Sequence, residues 1–446
     1  MQQKAKLMIA IIGAGITGLT LADLLLQQGE DVRLYEGSDR VGGNIRSVQE
    51  AGCLLEVGPN SLRLNDFIYQ FLESLDLSND LIYAEPSAKH RYILREGHLQ
   101  RLPTGPISLI FNRFLSFREK LRALRERRIP AGHQPGETVE AFFRRRFGGA
   151  VADYLVGPFI SGIYAGDPSR LLVADAFPKL VAAEQEHGSV IRGMLRQRSK
   201  NQHKGIISLR EGLEMIPRRL AKRLGDRLET SQKLAELRPE SGRFRLLFAS
   251  GHAQIADKVV LAVPAYHVAD LVAGFAPAEA AAFRAVPYPP VALVHSLYRR
   301  EDVQHRLDGF GALNNYLEAR KTLGTIFSSS TFAGRSPEGT VLFTSFVGGA
   351  RNPHLAQQPQ ASLLADVRSE MQTLFGTQAA PLWEKCTVFE RAIPQYEASA
   401  APAQPAAQNL QKDGLWMAGN WIGGISVVAC IERAHELCEQ LSNRPG

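Results

Sequence analysis

A glycine-rich turn near the start of the chain limits its fold more than any other feature. The turn has the pattern Gly-x-Gly-x-x-Gly and consists of Gly13, Ala14, Gly15, Ile16, Thr17 and Gly18. It follows a continuous apolar run at 7–12, which predicts a parallel strand buried on both faces. Residues 17–28 predict a helix that ends at Gly29. A second strand at 32–35 completes a βαβ unit.

The spacing of these glycines, with an acid after the second strand, predicts a dinucleotide site. The three glycines allow a tight turn, close approach of the backbone to a pyrophosphate, and close packing of helix on strand. The helix then offers free N–H groups and the positive end of its dipole to the phosphates. Glu36 ends the second strand, where a carboxylate accepts hydrogen bonds from ribose hydroxyls.

Length and composition restrict the class of protein. A chain of 446 residues predicts two or three domains. The four cysteines form no CxxC pair, so we expect neither a disulfide framework nor a metal site, and we expect a cytoplasmic setting. No apolar stretch approaches the ~18 residues that a membrane span requires, and the run at 7–12 is too short for a signal peptide.

The positive charge of the chain is concentrated in its middle. The net charge is +7, and the segment from Lys89 to Lys204 contains 21 Lys and Arg against 10 Asp and Glu, a balance of +11. Such a segment is a solvated surface or meets anionic lipid or an anionic substrate; we expect no nucleic-acid partner. Phe114, Leu115 and Phe117 stand among basic residues that include Arg113. They predict peripheral membrane contact, with a core-packed helix and a wet basic face as the alternative.

Two further glycine turns favour FAD over other dinucleotides. After Glu36 the chain continues as Glu-x-x-x-Arg-x-Gly-Gly, which resembles the loop that holds the FAD pyrophosphate in the amine-oxidase superfamily of flavoproteins. The turn at 418–427 resembles the one that leads into a helix facing the flavin pyrimidine, where the helix dipole stabilises negative charge on the reduced ring. No cysteine adjoins Asn420 and Trp421 to tether the flavin, so non-covalent FAD is expected.

Nearly the whole chain resembles the protoporphyrinogen and coproporphyrinogen oxidase family. The matching strings lie at 56–61, 91–93, 161–167, 177–180, 309–313, 323–329 and 346–349. The resemblance implies a mixed α/β and α+β fold: a Rossmann-like FAD-binding domain, a substrate domain on a mixed or antiparallel sheet, and a mostly helical insertion. We expect FAD-domain parts at 1–82, 205–275 and 401–446, substrate-domain parts at 83–105 and 276–400, and the helical region at 106–204.

The resemblance also implies which residues bind the cofactor and the substrate. Those expected at FAD are Gly13, Ala14, Gly15, Ile16, Thr17, Gly18, Glu36, Gly37, Arg40, Gly43, Asn44, Gly58, Pro59, Asn60, Ser61, Leu234, Asn420, Ile425, Ser426 and Val427. Arg91 would pair with a substrate propionate, and the Gly162 carbonyl would accept from pyrrole N–H groups. Phe310, Leu313 and Phe327 would sandwich the macrocycle. No residue is assigned as acid or base, because the flavin carries the chemistry.

The implied reaction is the six-electron oxidation of protoporphyrinogen IX to protoporphyrin IX in heme biosynthesis, with dioxygen as acceptor and peroxide as product. One alternative is oxidation of coproporphyrinogen III to coproporphyrin III. Other flavin oxidases, acting on amines or polyenes, fit less well, because a polyene site has no use for Arg91. An alternative of another class is a non-catalytic flavin- or lipid-binding protein. A homodimer, and a location in the cytoplasm or against the inner membrane, complete the expectations.

Overall fold

The computed structural model describes residues 7–102, 114–196 and 201–442. Its strands are β1 Met8–Ile12, β2 Asp31–Tyr35, β3 Ser47–Glu50, β4 Cys53–Glu56, β5 Leu62–Leu64, β6 Leu81–Tyr83, β7 Tyr92–Arg95, β8 His98–Arg101, β9 Gly205–Leu209, β10 Leu228–Glu229, β11 Leu234–Glu240, β12 Arg243–Phe248, β13 Ala253–Ala256, β14 Lys258–Leu261, β15 Val291–Arg299, β16 Gly311–Leu313, β17 Thr322–Phe327, β18 Thr340–Gly348, β19 Trp383–Phe389 and β20 Leu415–Met417.

The longer helices are α1 Ile16–Gln27, α2 Asp66–Ser74, α3 Phe117–Leu124, α4 Val139–Phe147, α5 Gly157–Tyr164, α6 Pro178–His187, α7 Val190–Arg196, α8 Met215–Leu224, α9 Ala265–Val272, α10 Pro277–Arg284, α11 Gln360–Phe375, α12 Ala403–Gln411 and α13 Val427–Ser442. Short helical turns lie at Gly149–Val151, Val173–Ala176, Ser328–Thr331 and Pro353–Ala356.

The first layer is a five-stranded parallel sheet in the order β10-β2-β1-β14-β20. Its central strand β1 is buried on both faces, as the sequence predicts. Ile9 and Ile11 point into a core shared with α1, α2, α8 and α13. Ala10 and Ile12 point into a second core shared with α9, α10 and α12. Because successive side chains of a strand alternate between faces, an uninterrupted apolar run is required here.

The second large sheet has seven strands in the order β19-β15-β18-β17-β16-β7-β8. All neighbours are antiparallel except β7 and β16, which pair in parallel. One face of the sheet packs on α11 through a core that includes Tyr92, Phe327, Phe343 and Phe375. The opposite face packs on β4 through Leu297 and Leu342, and on Ala165 through Leu293. The fold class predicted from the sequence is therefore confirmed.

The strands of the parallel sheet come from three separate stretches of the chain, at 8–35, 228–261 and 415–417. The seven-stranded sheet takes strands from 92–101 and from 291–389. This interleaving is the kind of organisation that the predicted domain segments describe, and their boundaries stay a prediction.

A helical region lies between the two stretches that supply the seven-stranded sheet. Its centre is Arg146, which is fully buried between the carboxylates of Glu126 and Glu184. Parts of the predicted region, at 106–113 and 197–200, lie outside the described residues, and so does Arg113. Among the helices in the described ranges, none is both long enough and apolar enough to cross a bilayer.

Two local predictions from the sequence are wrong. The richness of residues 398–409 in Ala, Pro and Gln predicts a loop, but α12 occupies most of this stretch. Ala403, Ala406, Ala407 and Leu410 follow helical spacing and pack on the second core, and this packing overrides the weak local signal. The spacing of Leu115, Leu121 and Leu124 predicts that they share one apolar helical face. Leu115 precedes α3 and is buried, whereas the other two are exposed.

Candidate functional site

The first glycine turn is built by contacts that leave no room for side chains at two of its three glycines. A Cβ on Gly13 would lie 2.6 Å from the Ala262 carbonyl oxygen, and one on Gly18 would collide with the Gly13 carbonyl oxygen. Gly13 also has a φ of +104°, which favours glycine. Gly15 differs, because a Cβ there would meet no protein atom within 4 Å. The space above Gly15 is thus open to a ligand.

Glu36 is held in place by the backbone of the turn that it faces. Its Oε2 accepts a hydrogen bond from the Ala14 N–H (2.8 Å), and its Oε1 accepts from the Ser38 N–H and hydroxyl (2.9 and 2.8 Å). Oε1 already accepts two hydrogen bonds and Oε2 only one, so Oε2 can accept one more and Glu36 can also receive a ribose hydroxyl. Next to it, the Ser231 and Gln232 amides donate to the Ser38 and Glu36 carbonyls, which brings the segment before Leu234 beside Gly37.

The second glycine turn lies directly on the first. The Gly42 N–H donates to the Ala14 carbonyl (2.8 Å), and a Cβ on Gly43 would lie 3.5 Å from the Gly15 Cα. Arg40 fixes the turn from inside by donating to the carbonyl oxygens of Val41 (3.2 Å) and Gly43 (2.5 Å). Asn44 follows Gly43, and the Asn44 carbonyl oxygen lies so close to Gly58 that a Cβ on Gly58 would collide with it. The loop at 58–61 is therefore packed against the second turn.

The third turn reaches the same end of the sheet from the C-terminal part of the chain. The Trp421 indole donates to the Val263 carbonyl (3.0 Å), and the Tyr396 hydroxyl donates to the Asn420 carbonyl (2.9 Å). Ser426 accepts from the Ala429 N–H through its hydroxyl (3.0 Å) and so begins α13. Gly423 and Gly424 have φ values of +102° and +130°, which side chains rarely adopt. Ile425 and Val427 flank Ser426 and are half-buried.

These residues fit a dinucleotide that lies across the carboxyl ends of the parallel strands. The N-terminus of α1 has no side-chain cap, so its N–H groups are available to phosphates. The Thr17 hydroxyl reaches the Cys430 thiol, which links the first turn to α13. That thiol lies 3.7 Å from the Gly424 carbonyl oxygen, closer to the third turn than the sequence suggested. Burial raises the pKa of Cys430 to about 11, so its nucleophilic thiolate is disfavoured.

The loop at 58–61 joins the cofactor turns to the seven-stranded sheet. The Asn60 amide donates to the Gly58 carbonyl (3.0 Å), which orders the loop around Pro59, with Ser61 following. His295 on β15 is fully buried and lies 3.2 Å from the Glu56 carbonyl oxygen through Nε2. Burial lowers the pKa of His295 to about 4, so the ring is neutral near pH 7 and donates through Nε2–H.

The residues expected at the substrate, apart from Phe327, form two contacting pairs. Leu313 on β16 lies against Gly162 on α5, where an added Cβ would collide with the leucine side chain. The Arg91 guanidinium stacks on the Phe310 ring, with 5.1 Å between the guanidinium carbon and the ring centroid. Within the described ranges, Arg91 has no carboxylate partner, so its charge is available to an anionic ligand.

Phe327 does not belong to this group, which corrects the expectation that it lines the macrocycle. It is 1% exposed and packs within the core on the α11 face of the sheet. Its ring centroid lies 5.2 Å from that of Phe375 and 5.9 Å from that of Phe343. Because side chains alternate along β17, Ile326 and not Phe327 lies on the same face as Phe310. Ile326 and Phe310 line the same cavity.

The sequence predicts no role for three buried side chains close to the loop at 58–61. Besides His295, these are Glu56 and Arg335, which are 6% and 2% exposed and lie 3.6 Å apart. Burial raises the pKa of Glu56 and lowers that of Arg335, and the Arg335–Glu56 attraction opposes both shifts. The two are 279 positions apart in the chain, so no local pattern could have paired them. Across 7–102, 114–196 and 201–442, no group of His, Cys, Asp or Glu is arranged to hold a metal ion.

Comparison with known proteins agrees with this geometry. Residues 16–441 match the family model described as flavin containing amine oxidoreductase. The chloroplastic protoporphyrinogen oxidase of Nicotiana tabacum is 33% identical over 98% of this chain and 86% of its own length. The corresponding protein of Oryza sativa is 33% identical over 97% and 88%. A crystal structure from Exiguobacterium, provisionally named a protoporphyrinogen oxidase, has the same fold, with a TM-score of 0.82 and 24% identity over 98% of this chain and 99% of its own.

Proposed function

Because the chain belongs to the flavin-containing amine oxidoreductase family, and within it to the protoporphyrinogen oxidases, we propose that it oxidises protoporphyrinogen IX to protoporphyrin IX in heme biosynthesis. Its cofactor is FAD, and its reaction type is flavin-dependent oxidation with oxygen as acceptor. One observation carries the proposal. Asn60 of the expected cofactor loop and Phe310, on which Arg91 stacks, line the same cavity. Six electrons leave the substrate in three rounds, each of which yields one peroxide.

When bound, FAD supplies the two-electron acceptor for a methylene carbon–hydrogen bond of the porphyrinogen and passes the electrons on to dioxygen. The chain holds and aims both partners. The N-terminus of α1 and Gly15 would receive the pyrophosphate, Glu36 would receive a ribose, and Asn60 and the 420–427 turn would hold the flavin ring. The positive end of α13 would stabilise negative charge on that ring.

The substrate residues provide apolar walls and one cation, which suits a large ring edged by carboxylates. Arg91 would bind one propionate with two parallel hydrogen bonds, and this contact decides which methylene bridge faces the cofactor. Phe310 supports the guanidinium from below and presents its ring to the macrocycle. Gly162 would accept from pyrrole N–H groups through its carbonyl, at a point where Leu313 leaves no space for a side chain.

Anaerobic reduction of the bound flavin by each porphyrinogen tests the proposal. We expect protoporphyrinogen IX to bleach the flavin absorbance within seconds, and coproporphyrinogen III to do so more slowly. A faster reaction with coproporphyrinogen III would change the substrate but not the chemistry. A yellow protein that is reduced by neither compound, and that consumes no oxygen with either, would instead be a flavin-binding protein without this activity.

Peripheral membrane contact is a separate proposal that α3 supports. Phe117, Leu121 and Leu124 are 80%, 42% and 60% exposed and lie on one helical face, beside the exposed Arg118 and Arg125. Phe114 and Leu115 are buried beside Ile93 and cannot contribute, contrary to expectation. Such a face would bind to the inner membrane from the cytoplasmic side, and the enzyme would otherwise lie in the cytoplasm.

Sedimentation with vesicles tests the membrane proposal. Basic residues near an anionic surface contribute about 1 kcal/mol each, so we expect binding to anionic vesicles at low salt and release at high salt. Replacing Phe117 and Leu121 with Ser should weaken it, whereas a change at the exposed Val388 of β19 should not. Failure of the unaltered protein to sediment at low salt would end this proposal. Assembly as a homodimer stays a prediction, which sedimentation velocity can test.

A further inference from the structure

A buried guanidinium has an unsatisfied donor close to the cofactor loop. Arg335, in the loop before β18, donates through Nη2 to the Ser208 hydroxyl and to the Leu209 carbonyl (3.3 Å). Its Nη1 is buried and has no hydrogen-bond partner within the described part of the chain. A buried donor left without a partner costs about 1–3 kcal/mol, so this arrangement implies a ligand or a function at Nη1.

A small, partly open cavity adjoins this group. A cavity of about 10 Å³ is bordered by Arg335, Glu56, Asn60, Phe310, Ser328 and Thr344, among others. That volume is about the minimum for one molecule of the size of water. Asn60 belongs to the proposed flavin loop and Phe310 to the proposed substrate wall, so the cavity lies where cofactor and substrate would meet.

The charge of Arg335 is only partly neutralised toward this cavity. Glu56 accepts hydrogen bonds from the Leu213 N–H (2.9 Å) and the Ser47 hydroxyl (2.7 Å), and its separation of 3.6 Å from Arg335 is too long for a hydrogen bond. The Ser328 and Thr344 hydroxyls are bonded to each other (2.8 Å). The cavity lining therefore combines one cationic donor, a carboxylate that already accepts one hydrogen bond at each oxygen, three further polar side chains and five apolar ones.

We propose that this cavity holds dioxygen while it is reduced and that Arg335 stabilises the negative charge that develops on it. The proposal rests on the function proposed above. In each round dioxygen gains two electrons and two protons, which are those that the porphyrinogen has lost, and leaves as hydrogen peroxide. Adding an electron to dioxygen makes an anion, and a buried cation that is already fixed in place stabilises such charge without reorganisation.

Reoxidation kinetics test the proposal without any porphyrinogen. The enzyme is reduced by light under anaerobic conditions and mixed with oxygenated buffer, and the return of the flavin absorbance gives a second-order rate constant. We expect Arg335→Met to lower this constant about ten- to a hundredfold, since loss of one preorganised donor to a developing anion costs at least that much in other enzymes. Arg335→Lys should recover most of the rate, because it restores the charge.

Glu56→Gln is the matched variant, and its expected effect on the reoxidation rate is opposite to that of Arg335→Met. It keeps the shape of the side chain and removes the charge that opposes Arg335, so reoxidation should become severalfold faster, which a purely structural role would not produce. Arg300→Met is the control for loss of a guanidinium elsewhere, since Arg300 donates to the Val303 and His305 carbonyls (2.6 and 3.1 Å). Its reoxidation rate should equal that of the unaltered enzyme.

The reduction potential of the bound flavin gives a second readout that does not depend on turnover. Dye equilibration should show a lower potential in Arg335→Met and a higher one in Glu56→Gln, because a nearby cation favours the electron-rich reduced state. Reoxidation within twofold of normal in an Arg335→Met protein with full FAD content would overturn the proposal, as would slower or unchanged reoxidation in Glu56→Gln. The Glu56→Gln result decides alone if Arg335→Met does not fold. Failure of the proposed substrate would appear instead in anaerobic reduction by porphyrinogen.

Discussion

The Leu313 side chain of β16 lies directly on the backbone of Gly162, so that α5 contributes no side chain of its own to this contact. Gly162→Ala would push Leu313 toward the proposed macrocycle site, because the leucine terminus is the part that can move. We expect kcat/KM for protoporphyrinogen IX to fall about ten- to a hundredfold, as misplacement by about 1 Å commonly causes, while FAD content stays normal.

A double variant separates this effect from general damage. Gly162→Ala with Leu313→Ala removes the collision and should recover much of the activity. Gly274→Ala, at a glycine whose added Cβ would meet nothing within 4 Å, should leave kcat/KM unchanged. Normal activity in Gly162→Ala alone would show that this contact lies away from the substrate.

Arg91→Ala should remove a charge-assisted pair with a propionate. Such bonds contribute about 1.5–3 kcal/mol, or roughly ten- to a hundredfold, and we expect the loss mainly in KM when the contact is equal in the ground and transition states. Arg91→Lys should recover only part, because an ammonium lacks the planar fork. Steady-state kinetics decide, with the exposed Arg245→Ala as control. Unaltered KM in Arg91→Ala for both porphyrinogens would refute the proposed substrate orientation.

Gly15→Val and Gly18→Val should fail in different ways. A side chain on Gly15 meets no protein atom within 4 Å, so Gly15→Val should fold but bind no FAD, because it fills the space of the pyrophosphate. Gly18→Val would collide with the backbone of Gly13 and should lower the yield of folded protein. Circular dichroism and flavin absorbance distinguish the two. A folded Gly15→Val protein that is fully yellow would contradict the proposed position of the cofactor.

Acid precipitation should release the flavin into the supernatant, since the cofactor is expected to be non-covalent. Cys430 lies close to the third turn, but its raised pKa keeps it protonated and therefore a poor nucleophile. Cys430→Ser should release the same fraction of flavin as the unaltered protein. Absorbance that remains in the washed precipitate, and disappears in Cys430→Ser, would indicate a covalent link instead.

The buried ion network of the helical region should make stability depend on acid pH. Burial alone would raise the pKa of Glu126, but hydrogen bonds from Ser189, Arg146 and the Val190 N–H outweigh it and hold the pKa below its ordinary value. Glu184 behaves in the same way through Arg145. A carboxylate with a lowered pKa stabilises the folded state above the ordinary pKa of about 4.5. This stabilisation is lost as the pH falls below that value.

Thermal unfolding at several pH values measures this dependence. Arg146→Met leaves the buried Glu126 without its guanidinium partner, whereas Glu184 keeps its ion pair with Arg145. Removal of one partner of a buried ion pair should cost about 3–5 kcal/mol and lower the Tm. Glu126→Gln should flatten the fall in stability below pH 4.5. Arg127→Met, at an exposed neighbour, is the control. An Arg146→Met protein with an unchanged Tm would show that the network contributes little.

The sequence by itself determined the elements whose signals are local. The apolar run before Gly13 requires a strand buried on both faces, because alternate residues enter two cores. The glycine spacing at 13–18 identifies the turn from the sequence itself. Glycine is required at Gly13 and Gly18 because a Cβ at either position would collide with the backbone. Residues 91–102 predict a hairpin around Arg95, Glu96 and Gly97 from equally local signals. Glu96 and Gly97 have positive φ, and β7 and β8 pair as an antiparallel hairpin.

Only the tertiary structure decided which face of the seven-stranded sheet each aromatic residue occupies. Phe310 and Phe327 look alike in sequence, yet one borders the cavity and the other is sealed in the core on α11. The strand register sets this difference, because a shift of one residue exchanges the faces. The Arg335–Glu56 pair could not be predicted from the sequence either, because the two residues are far apart in the chain. Their pKa values are perturbed only when packing removes the side chains from water.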